Sequence, residues 1–381
     1  MQSPICDMLG CEFPLVAFSH CRDVVAAVSN AGGFGVLGAV GHSPETLDVE
    51  LSWIDDHVNG KPYGIDLLVP TSMDSKSEAL AADELERRIP PQHKQYVLNL
   101  LAQYNIPTDD LYRETPRGGV GDNMREKGAS IVLDAAFAHP IKLVANALGV
   151  PPTFMLERGK REGVPVAALC GAREHAIKHA EAGVDILVVS GTEAGGHCGE
   201  VSTMVLIPEV LQSIEPYGEI PVLAAGGIAT GRQMAAVMAM GAHGAWTGSV
   251  WLTTAEAETA PAVKEKFLAA SSRQTVRSRS RTGKYTRQLR SPWTDAWHAD
   301  EAPDPLPMPL QQLISEPALG KIARLAETGH PGAKQLTTYF VGQAVGLMNQ
   351  VQSARQVVYD FMEDFLEATE RLNAFVDDDA A

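Results

Sequence analysis

The apolar positions of this chain fall into short runs separated by stretches with a helical rhythm. "PLVAF" (14–18) leads into "RDVVAAVSNAGG", whose apolar residues recur at helical spacing before a glycine stop. "FGVLGAV" (34–40) follows. In the next segment, "SPETLDVELSWIDDHV", Ser43 is placed to cap a helix and Pro44 to occupy its first turn. A third run is "YGIDLLVP" (63–70). After an interruption come "IKLVANALG" (141–149), "VPVAALCG" (164–171), "DILVVSG" (185–191), "IPVLAAGGI" (220–228) and "GAWTGSVWL" (244–252). Helical segments such as "AREHAIKHAEAG" and "TGRQMAAVMAMG" lie between the later runs. Strands that are apolar at successive positions, with helices between them, indicate a parallel sheet covered on both faces. Eight such units predict an α/β fold of the TIM (β/α)8 barrel type; a doubly wound open sheet is the alternative.

Two segments break this repeat. Residues 71 to about 130 hold the charged, proline-marked "DELERRIPPQHKQYVLNLLAQYNIPTDD" and read as a helical insertion after the third strand. Residues 261–335 show no strand pattern and are expected to form a helical lid after the eighth strand. They contain "VRSRSRTGKYTRQLRSPWTDAW" and the proline-rich "EAPDPLPMPLQQL". The expected division is a barrel over 1–260, a lid or substrate subdomain over 261–335, and C-terminal helices over 336–381 packing on the barrel. The final "DDDAA" is expected to fray.

Composition narrows the class. A chain of 381 residues can bury a large core. Its 31 basic and 47 acidic residues give a net charge of -16, which argues against nucleic acid and anionic membrane surfaces as partners. No stretch resembles a transmembrane span or a signal peptide, so a cytoplasmic location is expected. The five cysteines (Cys6, Cys11, Cys21, Cys170, Cys198) show no CxxC spacing, so neither a disulfide framework nor a metal site is expected. The expected partner is a small-molecule substrate, and a homo-oligomer remains open.

The chemistry concentrates where strands end. In a TIM barrel, catalytic residues sit at the C-terminal ends of the strands, and phosphate commonly binds after strands seven and eight. Here the seventh run ends in "AAGGIATG" and the eighth in "AWTGS". Gly226 and Gly227 allow backbone N–H groups close to an anion, and Gly248 and Ser249 offer further donors beside a helix N-terminus. Paired glycine turns at those two ends favour a phosphate site over ordinary tight turns. The sixth run opens onto "GTEAGGHCGE", which carries His197 among glycines. Histidine is the side chain best matched to proton transfer near neutrality.

Taken together, "GTEAGGHCGE", "PVLAAGGIATG" and "GAWTGS" resemble the nitronate monooxygenase family, whose relatives include FMN-dependent enoyl-ACP reductases and NADH:quinone reductases. "AAVSNAGGFGVLGA" is similar to that family's second strand and the helix before it. The resemblance implies a barrel holding non-covalent FMN. Gly226, Gly227, Gly248 and Ser249 would hold the phosphate, Ala17, Phe18, Asp66, Gly191, Gly195 and Gly196 would line the flavin, and His197 would be the active-site histidine. The chain departs from the family's pattern in "VAFSHC" after the first strand, in Asp66 where asparagine is usual, and in "ANALG" in the fourth strand. These changes alter the pocket's floor and wall.

Three functions follow from this reading. One is oxidation of nitronates with O2. The second is an FMN-dependent reductase of an enoyl thioester or quinone with NAD(P)H as co-substrate, and the third a flavin-free barrel for a phosphate ligand. Among secondary candidates, Cys198 adjoins His197, but sequence neighbours point apart, which argues against a Cys–His nucleophile. Glu193 either orients the loop or is solvated, and His20, at the end of the first strand, is either a pocket residue or a capping residue. Arg277, Arg279, Arg281, Lys284, Arg287 and Arg290 form either a solvated face or a site for an anionic substrate or dinucleotide phosphate.

Overall fold

Eight parallel strands close into a barrel: β1 (Leu15–Ser19), β2 (Phe34–Gly38), β3 (Tyr63–Leu67), β4 (Val144–Asn146), β5 (Val166–Cys170), β6 (Ile186–Ser190), β8 (Val222–Ala225) and β9 (Gly244–Thr247). All eight lie within or beside the apolar runs. The computed structural model describes residues 1–69, 82–112, 126–147 and 149–375. Closure joins β9 to β1, with Ala245 opposite Leu15 and Thr247 opposite Ala17.

Alternation along each strand builds two cores. Val16, Phe34, Val36, Ala145, Ala167, Ile186, Val188, Leu223 and Trp246 fill the lumen together with Ile5, Cys6 and Leu9 of the helix Pro4–Leu9. That short helix has no counterpart in the sequence reading. It plugs the end of the barrel opposite the strand C-termini, and Ser3 Oγ anchors it by donating to the His243 carbonyl at 2.5 Å. The other face of the strands packs on the helix ring. Leu15, Ala17, Leu187, Val189, Val222 and Ala224 meet apolar residues of Arg22–Asn30, Thr203–Ile214, Gly231–Ala239 and Ala354–Asn373. Helix starts follow local chemistry: Ser43 Oγ accepts from Thr46 N and Ser353 Oγ from Gln356 N, satisfying donors that have no partner inside the helix.

The insertion and the segment after β9 share one core. Ile89, Val97 and Leu101 pack against Trp293, Trp297, Ile314 and Ile322, all buried. Two indoles of that size make the contact worth several kcal/mol, since truncating a buried Trp costs about 3–5 kcal/mol. The described part of the insertion is helical, as expected, in Ala82–Arg87 and Pro91–Gln103; residues 71–81 and 113–125 lie outside the described residues.

The lid segment, expected to lack strands, contains a hairpin, β10 (Thr275–Ser278) and β11 (Thr286–Leu289). This hairpin pairs with β7 (Gly196–His197), placing Thr286 opposite His197 and Arg287 opposite Gly196. Its strands carry Arg, Gln, Ser and Thr on alternate positions, so no apolar rhythm announces them. Tertiary pairing supplies what propensity does not. No helix among the described residues is long and apolar enough to cross a membrane.

Candidate active site

The C-terminal mouth of the barrel gathers most of the predicted site. On β1, Phe18 points inward and its ring stacks on Trp246 of β9 at 6.3 Å between centroids. Ala17, by contrast, is fully buried against the helix ring, so its side chain faces away from the mouth and only its backbone could meet a ligand there. His20 stands at the rim: its Nδ1 lies 2.8 Å from the Gly38 carbonyl, and its ring meets Phe18 edge-on at 5.1 Å. Desolvation holds the His20 pKa below the ordinary histidine value.

Asp66 sits near the top of β3 on the lumen side, 2% exposed, and its Oδ1 has no hydrogen-bond partner. Burial pushes its carboxyl pKa well above the usual carboxylate range, which favours the neutral acid over the carboxylate. A buried, unpaired polar atom at the mouth is costly unless something satisfies it.

The glycine turns have the backbone shape a phosphate cradle needs. Gly226 and Gly227 have φ of 98° and 74°, in the region only glycine adopts freely. Among the described residues the N–H groups of Gly227 and Gly248 have no hydrogen-bond partner. Gly248 faces open space, with Phe18 Cδ1 the nearest atom to an added Cβ at 4.0 Å. Gln233 braces the first turn, accepting from Ala229 N and donating to the Gly227 carbonyl, both at 2.8 Å. Ser249 Oγ accepts from Gly342 N at 2.8 Å, so part of its capacity holds the residues before the C-terminal helix. Gly191 lies beneath the Gly226 turn, packed against Thr203, and donates its N–H to the Ala225 carbonyl. It supports the cradle from below.

Glu193 is a loop-orienting residue. Its carboxylate accepts from Thr203 N at 3.0 Å and from Thr203 Oγ1 at 2.9 Å, capping the helix Thr203–Ile214 and tying it to the loop. Gly195 allows the loop to lie against Val341 and Gly342, where a Cβ would fall 2.8 Å from the Gly342 nitrogen. These contacts present β7, and His197 with it, to the hairpin.

His197 Nε2 lies 3.1 Å from Thr282 Oγ1. That hydroxyl is also placed to donate to the Lys284 carbonyl at 3.2 Å. With its one proton spent there, it accepts from Nε2–H, which leaves Nδ1 as the basic nitrogen. The imidazole is open to solvent on one side, but the recess around it is crowded. This desolvation lowers its pKa, and the Lys284 ammonium lowers it further. Cys198 is turned toward Arg287 and Arg277 instead of His197, and burial raises its thiol pKa. It makes no pair with the imidazole.

Most of the basic cluster is structural. Arg279 donates to the Gly283 and Pro305 carbonyls, and Arg287 to the Thr192 carbonyl and Thr275 Oγ1. Arg281 pairs with Glu316 and Arg290 with Asp295, while Arg277 lies 3.5 Å from Glu200 and over the Tyr285 ring. Lys284 alone of the six has no partner for its side chain among the described residues.

A barrel mouth with glycine turns after its last two strands, and a histidine delivered from the sixth, is the arrangement the motifs implied. The sequence model of the nitronate monooxygenase family matches residues 14–364. This chain belongs to the nitronate monooxygenase family. It is 54% identical to a Mycobacterium tuberculosis protein named as a monooxygenase, over 99% of this chain and 100% of that one. It is 27% identical to a Staphylococcus saprophyticus protein named as a nitronate monooxygenase, over 93% and 95% of the two chains. The fold is similar to that of the nitroalkane oxidase of Streptomyces ansochromogenes, with a TM-score of 0.78, 23% identity, and 97% and 99% of the two chains covered. Membership of the nitronate monooxygenase family makes the protein an oxidoreductase.

Sequence reasoning missed Thr282, Gln233 and Thr203. Thr282 had a usable signal, because "TGK" between two polar β-capable stretches is a hairpin-turn sequence. Gln233 had one too, since Thr230-Gly231-Arg232-Gln233 has the spacing of a capping box; Thr203 acts through Glu193 and the Gly226 turn, which no local pattern marks.

Proposed function

We propose that this protein is an FMN-dependent oxidase of alkyl nitronates, with O2 as electron acceptor and His197 as the acid/base. The observation that carries this reading is the His197–Thr282 pair. It stands at the same barrel mouth as the unpaired N–H groups of Gly227 and Gly248. The residues fit the cofactor: those N–H groups suit a phosphate, and the orphaned Asp66 carboxyl suits a polar edge of the flavin. Bound FMN would supply the electron acceptor and deliver electrons to O2. The protein's own part is proton chemistry and binding. With a neutral nitroalkane, His197 Nδ1 takes the Cα proton and the bonding pair stays on the substrate as a nitronate. With a preformed nitronate that step is already complete, and the site has only to bind and orient an anion.

The test is colour followed by anaerobic reduction. The protein should purify yellow, and a nitronate should bleach it without NADH or NADPH. Bleaching by NAD(P)H but not by nitronate would instead establish the enoyl thioester or quinone reductase. A colourless protein that takes up no FMN would leave the flavin-free phosphate-ligand barrel.

A further inference from the structure

The β10–β11 turn carries Lys284 on a backbone that is tied to His197 through Thr282. Ser278 and Thr286 form the last pair of the hairpin, so residues 279–285 are its tip. That tip is fastened at every side. Gly283 N donates to the Arg279 carbonyl, Arg279 donates to the carbonyls of Gly283 and Pro305, Gln311 Nε2 donates to the Ser280 carbonyl, and Ser315 Oγ to the Arg281 carbonyl. Thr282 Oγ1 then touches His197 on one side and the Lys284 backbone N and O on the other. Lys284 is exposed, and its backbone meets the same Thr282 hydroxyl that meets the imidazole.

Every other basic residue of the tip and its strands is engaged by a carboxylate, a carbonyl or a hydroxyl, as described above. Glu200, the carboxylate on the His197 loop, faces Arg277, and Glu193 is committed to Thr203. Lys284 thus carries an uncommitted ammonium on a backbone held through Thr282 to the proton-transferring group, and an uncommitted cation at such a place can recognise an anion. The imidazole senses it, since Lys284 acts with burial to lower the His197 pKa.

We propose that Lys284 is the anion-recognition residue of the site, meeting the charge that lies at, or develops on, the substrate atoms His197 serves. This rests on the nitronate reading above and extends it. A preformed nitronate carries the charge on arrival, so Lys284 contributes to its binding. A neutral nitroalkane gains the charge only as the proton leaves, so Lys284 contributes to the transition state alone.

Lys284→Gln should therefore split the kinetic constants by substrate. For the nitronate, KM should rise about tenfold, the size of a lost charge-assisted contact at a half-open site. For the neutral parent nitroalkane, KM should hold while kcat falls about tenfold. Lys284→Arg, which keeps the charge, should recover most of both. The acid limb of the nitroalkane pH profile should move upward in the Gln variant. The charged groups around His197 would otherwise be unchanged: Arg277 and Arg287 from the hairpin, and Glu193 and Glu200 from its own loop. An equal KM rise for both substrates, or no change for either, would overturn the proposal. Propionate, an unreactive carboxylate, provides a readout independent of turnover, through the ring resonances of His197 in the FMN-loaded protein. Lys284-dependent propionate binding in a protein that does not oxidise nitronates would keep this inference and sink the reaction assigned above. Nitronate turnover with propionate binding unaltered by Lys284→Gln would do the reverse.

Discussion

His197 and Thr282 meet through a 3.1 Å contact between Nε2 and Oγ1, held by the pairing of Thr286 opposite His197. The contact makes the tautomer of a loop histidine a property of the lid hairpin. His197→Asn should lower turnover of a neutral nitroalkane by about 10²–10⁴-fold, the loss expected when a general base is removed. Turnover of the preformed nitronate should fall much less, because its proton is already gone, and FMN content should stay near normal. Equal losses for the two substrates would reduce His197 to a positioning group.

The depressed pKa of His197 sets the pH dependence. Its base form persists below the ordinary histidine value of 6.5. Turnover of a neutral nitroalkane should therefore stay level on descending through that pH and drop only at lower values. An acid limb centred at or above 6.5 would contradict the desolvated, lysine-flanked setting.

Gly248→Asp separates cofactor loss from misfolding. Gly248 has a negative φ of -128°, and an added Cβ would meet only Phe18 at 4.0 Å, so the fold accommodates a side chain there. A carboxylate beside the unpaired N–H groups should repel a phosphate. We expect the variant to melt like the wild-type protein without cofactor and to purify with little FMN. Full flavin content would move the phosphate elsewhere.

Asp66 couples stability to pH in the cofactor-free protein. Burial raises its pKa in the folded state, whereas the unfolded chain titrates near the ordinary aspartate value of 3.8. Above that value the unfolded state binds fewer protons than the native state. Stability contributed by this group is thus full at low pH and declines as pH rises from the unfolded toward the folded pKa. Asp66→Asn, which cannot ionise, should flatten that decline. Urea midpoints at about pH 5 and about pH 8 would show it, and the variant should gain most at the higher pH. An unchanged slope would mean the carboxyl is solvated or paired.

How much of this was readable without coordinates differs from feature to feature. The eight barrel strands were legible because each is buried on both faces, which leaves a continuous apolar run whatever its neighbours are. The glycine turns were legible for a related reason: positive φ at Gly226 and Gly227 is a local backbone demand, and glycine is its local answer. His197 stood out through the motif around it. The sequence by itself therefore determined the barrel, the position of its catalytic face and the identity of the central imidazole. The hairpin over the mouth was marked only at its turn, since β7 has only two residues and β10 and β11, apart from Val276 and Leu289, are polar throughout. Such strands form because a distant edge offers them hydrogen bonds. Tertiary structure alone decided that Ala17 faces outward, that Glu193 caps a helix, and that five of six clustered cations are engaged. It also decided that Thr282 reaches His197 and that Lys284 follows it in the same turn. Charge and hydrogen-bond capacity are written in each residue type, but which partner uses them is set by how segments far apart in the chain are packed.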